Sequence, residues 1–325
     1  MNPPPDKPPR SLWILDPWEQ LRIERDTSVL LMNEALQQGW PVHSASDREI
    51  YRNNRGLFAR ARRHGEPITP AVAGRPAAGE ELDLEGFDLV IIRKDPPFDE
   101  TYLALLLLLA GLRRPRVVNP PETLLACNEK LSIFFFPDYI PPTLVTASPD
   151  RIGDFLRQAG GAAVLKPLFS CSGRGVHLLR SGATGLEETL AAATAGGRQA
   201  VMLQRYLPAV TGGETRVFLL GDRILSVMKK VPEPGSFKAN FDAGARGEPH
   251  RLTGREREIC FRVGKFCRRR GIALAALDLI DGCLSEFNIT SPGLLVESNR
   301  VNRTRCQEEA VRFLSSRAAN PAPRP

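Results

Sequence analysis

One hairpin constrains this chain more than any other stretch. "AALDLIDGCLSEFNI" reads as a strand, an Asp281-Gly282 turn and a second strand, Asp-Gly being a favoured hairpin corner. Side chains two apart on a strand share a face, so Glu286 and Asn288 stand together, opposite Phe287 and Ile289. Where Asp278 points depends on the turn. A two-residue loop turns it away from Glu286. A three-residue loop including Gly282 puts Asp278, Glu286 and Asn288 on one face and Leu277, Leu279, Phe287 and Ile289 on the other, a clean separation that favours it. Two carboxylates and a carboxamide are hard oxygen donors, the set Mg²⁺ prefers when it also binds phosphate. Taken alone, the hairpin serves equally well as a solvent-facing acidic strand.

The lysines shift that balance toward a site. Lys130 ends "NPPETLLACNEK", and Lys166 lies inside the apolar strand "VLKPL", an uncommon place for casual surface charge. Both suit a phosphate contact made by a point charge. The "SCSGRG" that follows offers backbone N–H groups at Ser172, Gly173 and Gly175 for the same purpose. It is neither a P-loop nor a dinucleotide fingerprint.

The rest of the chain sets the frame. Up to about residue 122, strands ("SLWILD", "VHSAS", "FDLVIIRKD", "RVVNPP") alternate with helices ("TSVLLMNEALQQGW" and a leucine-rich one). That order predicts an α/β lobe with a largely parallel sheet. "TYLALLLLLAGL" is too short to span a bilayer, which takes about 20 residues, and reads as a buried helix. From "AAVLKPL" to "AVMLQRYLP" a hairpin, a helix and a strand follow. "TRVFLLG" and "RILSVMKKV" are further strands, and "PEPGSFKANFDAGARGEPH" reads as a long functional loop. The expected layout is a disordered tail at 1–10, an N-terminal α/β lobe at 11–122, a central lid region at 123–205, a C-terminal antiparallel-sheet lobe at 206–316 and a disordered tail at 317–325.

The net charge of +7 favours anionic ligands. "GREREICFRVGKFCRRRG" nevertheless reads as a helix with a solvated basic face, and no nucleic-acid reader motif is present. Six cysteines without a CxxC, and no signal peptide, predict reduced thiols in a cytoplasmic protein. Cys260 and Cys267 are expected to be buried on that helix. Four scattered histidines make no zinc motif. No nucleic-acid or membrane partner is expected.

Taken in order, "IIRKDPPFD", "VVNPPETLLACNEKL", "LKPL…G.G", "QRYLPAV…GGETRVF", "NFDAGARGEP" and "LDLIDGCLSEFNITSP" resemble bacterial glutathione synthetases of the ATP-grasp superfamily. The resemblance implies an ATP-grasp fold and a ligase joining γ-glutamylcysteine to glycine through an acyl phosphate; the alternatives are a ligase of the same class acting on a different acyl peptide or acceptor amine, and a non-catalytic nucleotide-binding protein of this fold. It also implies a homo-tetramer and two Mg²⁺ ions, for which Mn²⁺ can substitute. By the same resemblance Lys130, Lys166, Ser172, Gly173 and Gly175 hold the phosphates of ATP, and Gln204, Arg205, Tyr206 and Leu207 receive adenine. Glu214 binds ribose, and Asp278, Glu286 and Asn288 bind metal. Arg216 and Lys238 stabilise the reacting charge, while Arg93, Lys94, Asn240 and Ser291 lie near the peptide. Two stretches depart from the family pattern: "FSCSGRGV" is poorer in glycine, and Lys238-Ala239-Asn240 stands where an arginine precedes a Gly-Asn pair.

Overall fold

In the computed structural model, which describes residues 7–75, 79–112, 114–170 and 173–318, three sheets surround a common cleft. The N-terminal sheet contains β1 (Ser11–Leu15), β2 (Val42–Ser46), β3 (Ile50–Asn53), β4 (Gly56–His64), β5 (Glu80–Asp83), β6 (Leu89–Ile92) and β7 (Arg116–Val118). Its order is β3–β4–β2–β1–β6–β7, with β5 on β4. The run β2–β1–β6–β7 is parallel, as the alternation of strands and helices predicts. Sequence reading missed the antiparallel flap β3–β4–β5. Its "GLFARARRH" alternates arginine with apolar residues and forms no uniform hydrophobic run.

The leucine-rich helix runs from Glu100 to Leu109 behind an Asp99 cap. It is buried on one stripe only. Tyr102, Leu105, Leu106 and Leu109 face the sheet, while Leu103 and Leu107 are exposed, because residues three and four apart share a helix face.

The central sheet is β8 (Thr143–Thr146), β9 (Ala162–Pro167), β10 (His177–Arg180) and β11 (Val201–Arg205), in the order β10–β9–β11–β8 and antiparallel throughout. Ile152, Leu156 and Leu190 from its two helices cover one face. Residues 131–139, expected in this central region, contact the C-terminal lobe. Phe136 lies 5.6 Å from Phe266 and 6.3 Å from Phe287 between ring centres.

The C-terminal sheet is β12 (Glu214–Leu220), β13 (Arg223–Val231), β14 (Arg246–Pro249), β15 (Leu274–Ile280) and β16 (Cys283–Asn288), ordered β14–β13–β12–β15–β16 and antiparallel. The stretch expected as one long loop therefore contains a strand. β14 extends the sheet edge through backbone hydrogen bonds, which need no apolar run in the sequence. The basic helix spans Gly254–Arg270 between a Thr253/Glu256 capping box and Gly271 at φ +71°, and Cys260 and Cys267 are buried on it.

The hairpin of β15 and β16 has a different corner from the one expected. Ile280 pairs with Cys283 across a two-residue turn, with Asp281 at φ +50° and Gly282 at φ +66°. A bulge then restores the face: Leu279 opposes Leu284, Asp278 opposes Glu286, and Ser285 is the extra residue. Leu284, which strict alternation would place beside Glu286, is buried in the core with Phe287. Asp278 and Glu286 still meet, through a bulge rather than a longer loop.

Asn119, just past β7, ties the first sheet to the third. Its amide donates to the carbonyls of Leu274 and Ile289 (2.8 and 2.7 Å) and accepts from the N–H groups of Ala273 and Leu274. The fold also reaches into the expected tails. Arg10 N–H donates to Asp88, its guanidinium covers the Phe87 ring, and the last helix continues to Ala318. Residues 1–6 and 319–325 of those tails lie outside the described residues. Among the described residues no helix is long and apolar enough to cross a membrane.

Candidate active site

A cavity of about 550 Å³ opens where the three sheets converge. Its chemistry starts from strand positions that point charge inward. Arg216 on β12 and Asp278 on β15 are direct cross-strand partners, and the guanidinium donates to Asp278 Oδ2 at 2.6 Å. Lys230 on β13 pairs with Asp278 Oδ1 at 2.9 Å and with Glu214 at 3.3 Å. Asn288 Nδ2 donates to Asp278 Oδ2 at 3.1 Å.

Burial alone would raise the pKa of Asp278, but Arg216 and Lys230 outweigh it and hold the carboxyl well below the usual carboxylate range. Glu214 goes the other way. Its burial, with the negative Asp278 beside it, pushes it up to about 7 against the pull of Lys230. Burial also depresses Lys230, yet the two acids carry it above the ordinary lysine value. In this low dielectric the neighbouring charges thus set the states of Asp278, Glu214 and Lys230.

The second cluster adjoins the first, because Glu286 on β16 is the cross-strand neighbour of Asp278. Asn128 Oδ1 accepts from the N–H groups of Lys130 and Leu131 and fixes the turn that carries Lys130. Lys130 Nζ then pairs with Glu286 at 3.1 Å and donates to the Ser170 carbonyl at 2.5 Å. Lys166 donates to Gln204 Oε1 at 2.6 Å and to Ser285 Oγ at 2.9 Å, so the bulge that aligns Glu286 also supplies a partner for this lysine. Burial lowers the Lys166 pKa, with Glu286 and Glu214 opposing.

Gln204, Arg205, Tyr206 and Leu207 line the cavity where β11 leaves the central sheet. Gln204 Nε2 is buried without a hydrogen-bond partner among the described residues, a donor available to a ligand. Gly173 lines the cavity and Gly175 does not. A Cβ on Gly175, at φ +70°, would lie 2.8 Å from Pro167 Cγ, so this glycine serves the tight turn. Ser172 lies outside the described residues.

Of the peptide-side residues, Arg93, Lys238, Asn240 and Ser291 line the cavity. Arg93 is buried and donates to Ser28 Oγ and the Pro292 carbonyl, and Ser291 Oγ donates to the Arg93 carbonyl. Lys94 is not brought to the cavity. The strand alternation that turns Arg93 inward sends its ammonium to Asp16 and Asp47, at 3.0 and 3.2 Å.

Sequence reasoning missed Lys230 and Glu129. Lys230 had a signal, because Ser226, Met228 and Lys230 are buried alternate positions of β13. Glu129 had none. It is buried and accepts from Ile289 N–H, Thr290 N–H and Thr290 Oγ1, holding the chain that follows Asn288.

Among the described residues no cluster of three or more His, Cys, Asp or Glu side chains forms a metal centre. Asp278 and Glu286 face each other with Asn288 alongside, a hard-oxygen set that fits a divalent cation bound jointly with phosphate. The fold around this cavity defines a class, the ATP-grasp ligases. D-cycloserine synthetase DcsG superposes with a TM-score of 0.67 at 17% identity, covering 95% of this chain and 99% of that one. The ATP-grasp ligase PsnB superposes at 0.61 and 16%, covering 94% and 99%.

Within that class, the family model for the N-terminal domain of prokaryotic glutathione synthetase matches residues 10–124, and the model for its ATP-grasp domain matches residues 129–303. The glutathione synthetase of Parasynechococcus marenigrum (strain WH8102) is 35% identical over 94% of this chain and 99% of its own length. That of Pseudomonas syringae pv. tomato is 33% identical over 87% and 90%. This chain belongs to the prokaryotic glutathione synthetase family, ATP-dependent ligases of glutathione synthesis that work with a divalent metal. The resemblance read from its motifs is borne out.

Proposed function

We propose that this chain joins the cysteinyl carboxylate of γ-glutamylcysteine to the amine of glycine in two steps inside this cavity. The carboxylate oxygen first attacks the γ-phosphorus of ATP, giving an acyl phosphate and releasing ADP. The glycine nitrogen then attacks the acyl carbon. Phosphate leaves with the bonding pair of the C–O bond, and the nitrogen gives up a proton. A carboxylate is a poor electrophile, and the first step supplies its leaving group.

In this reading Lys130 and Lys166 hold the phosphates, with backbone N–H groups near Gly173. Gln204 and residues 205–207 receive adenine, and Glu214 the ribose. Asp278, Glu286 and Asn288 hold two Mg²⁺ ions, which when bound neutralise phosphate charge. Arg216, fixed by Asp278, stabilises charge on the transferring phosphoryl group and on the tetrahedral carbon, where preorganised electrostatics contribute most. Lys238 assists from the substrate-side loop, and Arg93, Asn240 and Ser291 shape the peptide pocket. Residues 173–175 and loop 232–245 keep water from the acyl phosphate. Lys94 has a structural role in this scheme.

The observation that carries the reading is the convergence of Lys130, Lys166, Arg216 and Lys230 on Asp278, Glu286 and Glu214 around one cavity. A homo-tetramer in the cytoplasm belongs to the same reading, and light scattering tests its size. The chemistry is tested by ADP release and product analysis with γ-glutamylcysteine across a panel of amines. Glycine should give the highest kcat/KM and yield glutathione. A stronger acceptor among the other amines would overturn the choice of glycine, and Lys238-Ala239-Asn240 is the departure that makes the panel worth running.

A further inference from the structure

Glu297 lies in the first turn of the helix Leu295–Asn302, on the wall of the cavity. One oxygen is spoken for: Arg25 Nε donates to Oε1 at 2.9 Å. The other is not. Oε2 is buried, and no hydrogen-bond donor among the described residues reaches it. A buried carboxylate oxygen without a donor is costly, and a hydrogen-bond donor relieves it, a cationic one most strongly, because a carboxylate accepts and does not donate.

The surroundings place Glu297 on the wall of this cavity. Leu295 N–H donates to Thr27 Oγ1, which joins the helix start to the loop bearing Arg25. Arg25, Asp26 and Thr27 line the cavity beside Glu297. The chain leading here from the metal-binding strand also lines it, at Asn288, Ser291 and Gly293, and the Gly293 carbonyl accepts from Arg216 at 3.5 Å. Glu297 thus stands four residues beyond the point where this wall touches the reacting end, on the side of the N-terminal lobe.

We infer that Glu297 binds the α-ammonium of the γ-glutamyl donor and so distinguishes γ-linked glutamyl peptides from other acyl donors. This rests on the synthetase reading above. An ammonium is the strongest partner for this oxygen; ATP carries none, which leaves those of the donor and of glycine. The glycine nitrogen has to reach the acyl carbon beside Arg216. The donor's α-ammonium lies at the opposite end of its molecule, and Glu297 is paired with Arg25 rather than with any member of the Arg216–Asp278 or Lys130–Glu286 clusters.

The test compares γ-glutamylcysteine with glutarylcysteine, which lacks only the α-amino group, in wild type and in Glu297→Gln, at saturating ATP and Mg²⁺, with donor and glycine varied in turn. Wild type should prefer γ-glutamylcysteine by at least about tenfold in kcat/KM, the scale of one charged hydrogen bond. Glu297→Gln should lose that preference through the donor KM, with glutarylcysteine and ATP little affected. Equal losses for both donors would overturn the assignment. So would a raised glycine KM with the donor preference intact, since the ammonium would then be the acceptor's. Wild type alone keeps the idea falsifiable if the variant misfolds, because equal use of the two donors sinks it. Failure of wild type to form glutathione would overturn the synthetase reading along with this one, which separates the two failures.

Discussion

The two ends of the cavity are built differently. At the end proposed for the nucleotide the charged side chains come chiefly from strands and hold one another: Arg216 and Lys230 on Asp278, Lys130 on Glu286, Lys166 on Gln204 and Ser285. At the end proposed for the acyl donor they come from loops and helix starts, and the ties are looser. Arg22 pairs with Asp242 across the cavity mouth, but those side chains are 66% and 47% exposed. Lys238 rests over the Phe237 ring at 5.9 Å. Strands give a fixed field for phosphoryl chemistry, which depends on preorganised charge. Loops can open for a peptide and close again. Substitutions at the first end should therefore cost far more than substitutions at the second.

The largest expected effect is at Glu286. Glu286→Gln keeps size but removes a charge from the metal set and from Lys130, and should lower kcat by at least about a hundredfold. The side chain is only part-buried, so the melting temperature should barely move. Asn288→Ala should be milder. Near-normal turnover of Glu286→Gln at limiting Mg²⁺ would erase the distinction between the two ends.

At the donor end, Lys238→Ala removes one charged contact and should lower kcat/KM for γ-glutamylcysteine plus glycine by about tenfold. Lys238→Arg should raise it, because a guanidinium grips a carboxylate through two parallel hydrogen bonds. An alanine variant as fast as wild type would remove loop 232–245 from the active site.

The coupled charges also predict a pH dependence. Glu214, ordinarily near 4.5, is raised to about 7 in the folded protein, chiefly by burial. Between those values the folded state holds a proton that the unfolded chain has lost, so this group's contribution to stability falls as pH rises through that window and is level above it. Asp278 has the opposite sign. Its lowered pKa adds stability above 3.8, its ordinary value, lost only on stronger acidification. Melting curves between about pH 5 and pH 8 should show the Glu214 slope, and Glu214→Gln should flatten it. An unchanged slope in that variant would assign the dependence to another group.

The smallest effect is expected at the rim. Arg22→Ala breaks an exposed ion pair, which is worth about 1 kcal/mol or less, so kcat/KM should change by less than about fivefold and the change should shrink in high salt. A larger, salt-insensitive loss would mean that the donor end is as rigidly built as the nucleotide end.

The sequence by itself determined the features that have a period or a fixed local chemistry. The parallel core of the first lobe followed from strands alternating with helices, and the basic helix from its apolar spacing. The pairing of Glu286 with Asn288 followed from the two-residue repeat of a strand. Lys130 and Lys166 were legible because a lysine among apolar residues and proline is out of place. Tertiary structure alone decided the rest. Whether Asp278 joined Glu286 turned on a bulge at Ser285, and a bulge leaves no mark on composition. β14 and β4 form by backbone pairing or with mixed faces, so no apolar run announces them. Glu129, Asn119 and Glu297 act on groups more than 100 residues away along the chain. The partners that define them exist only once the lobes have packed, and no local pattern encodes a contact at that separation.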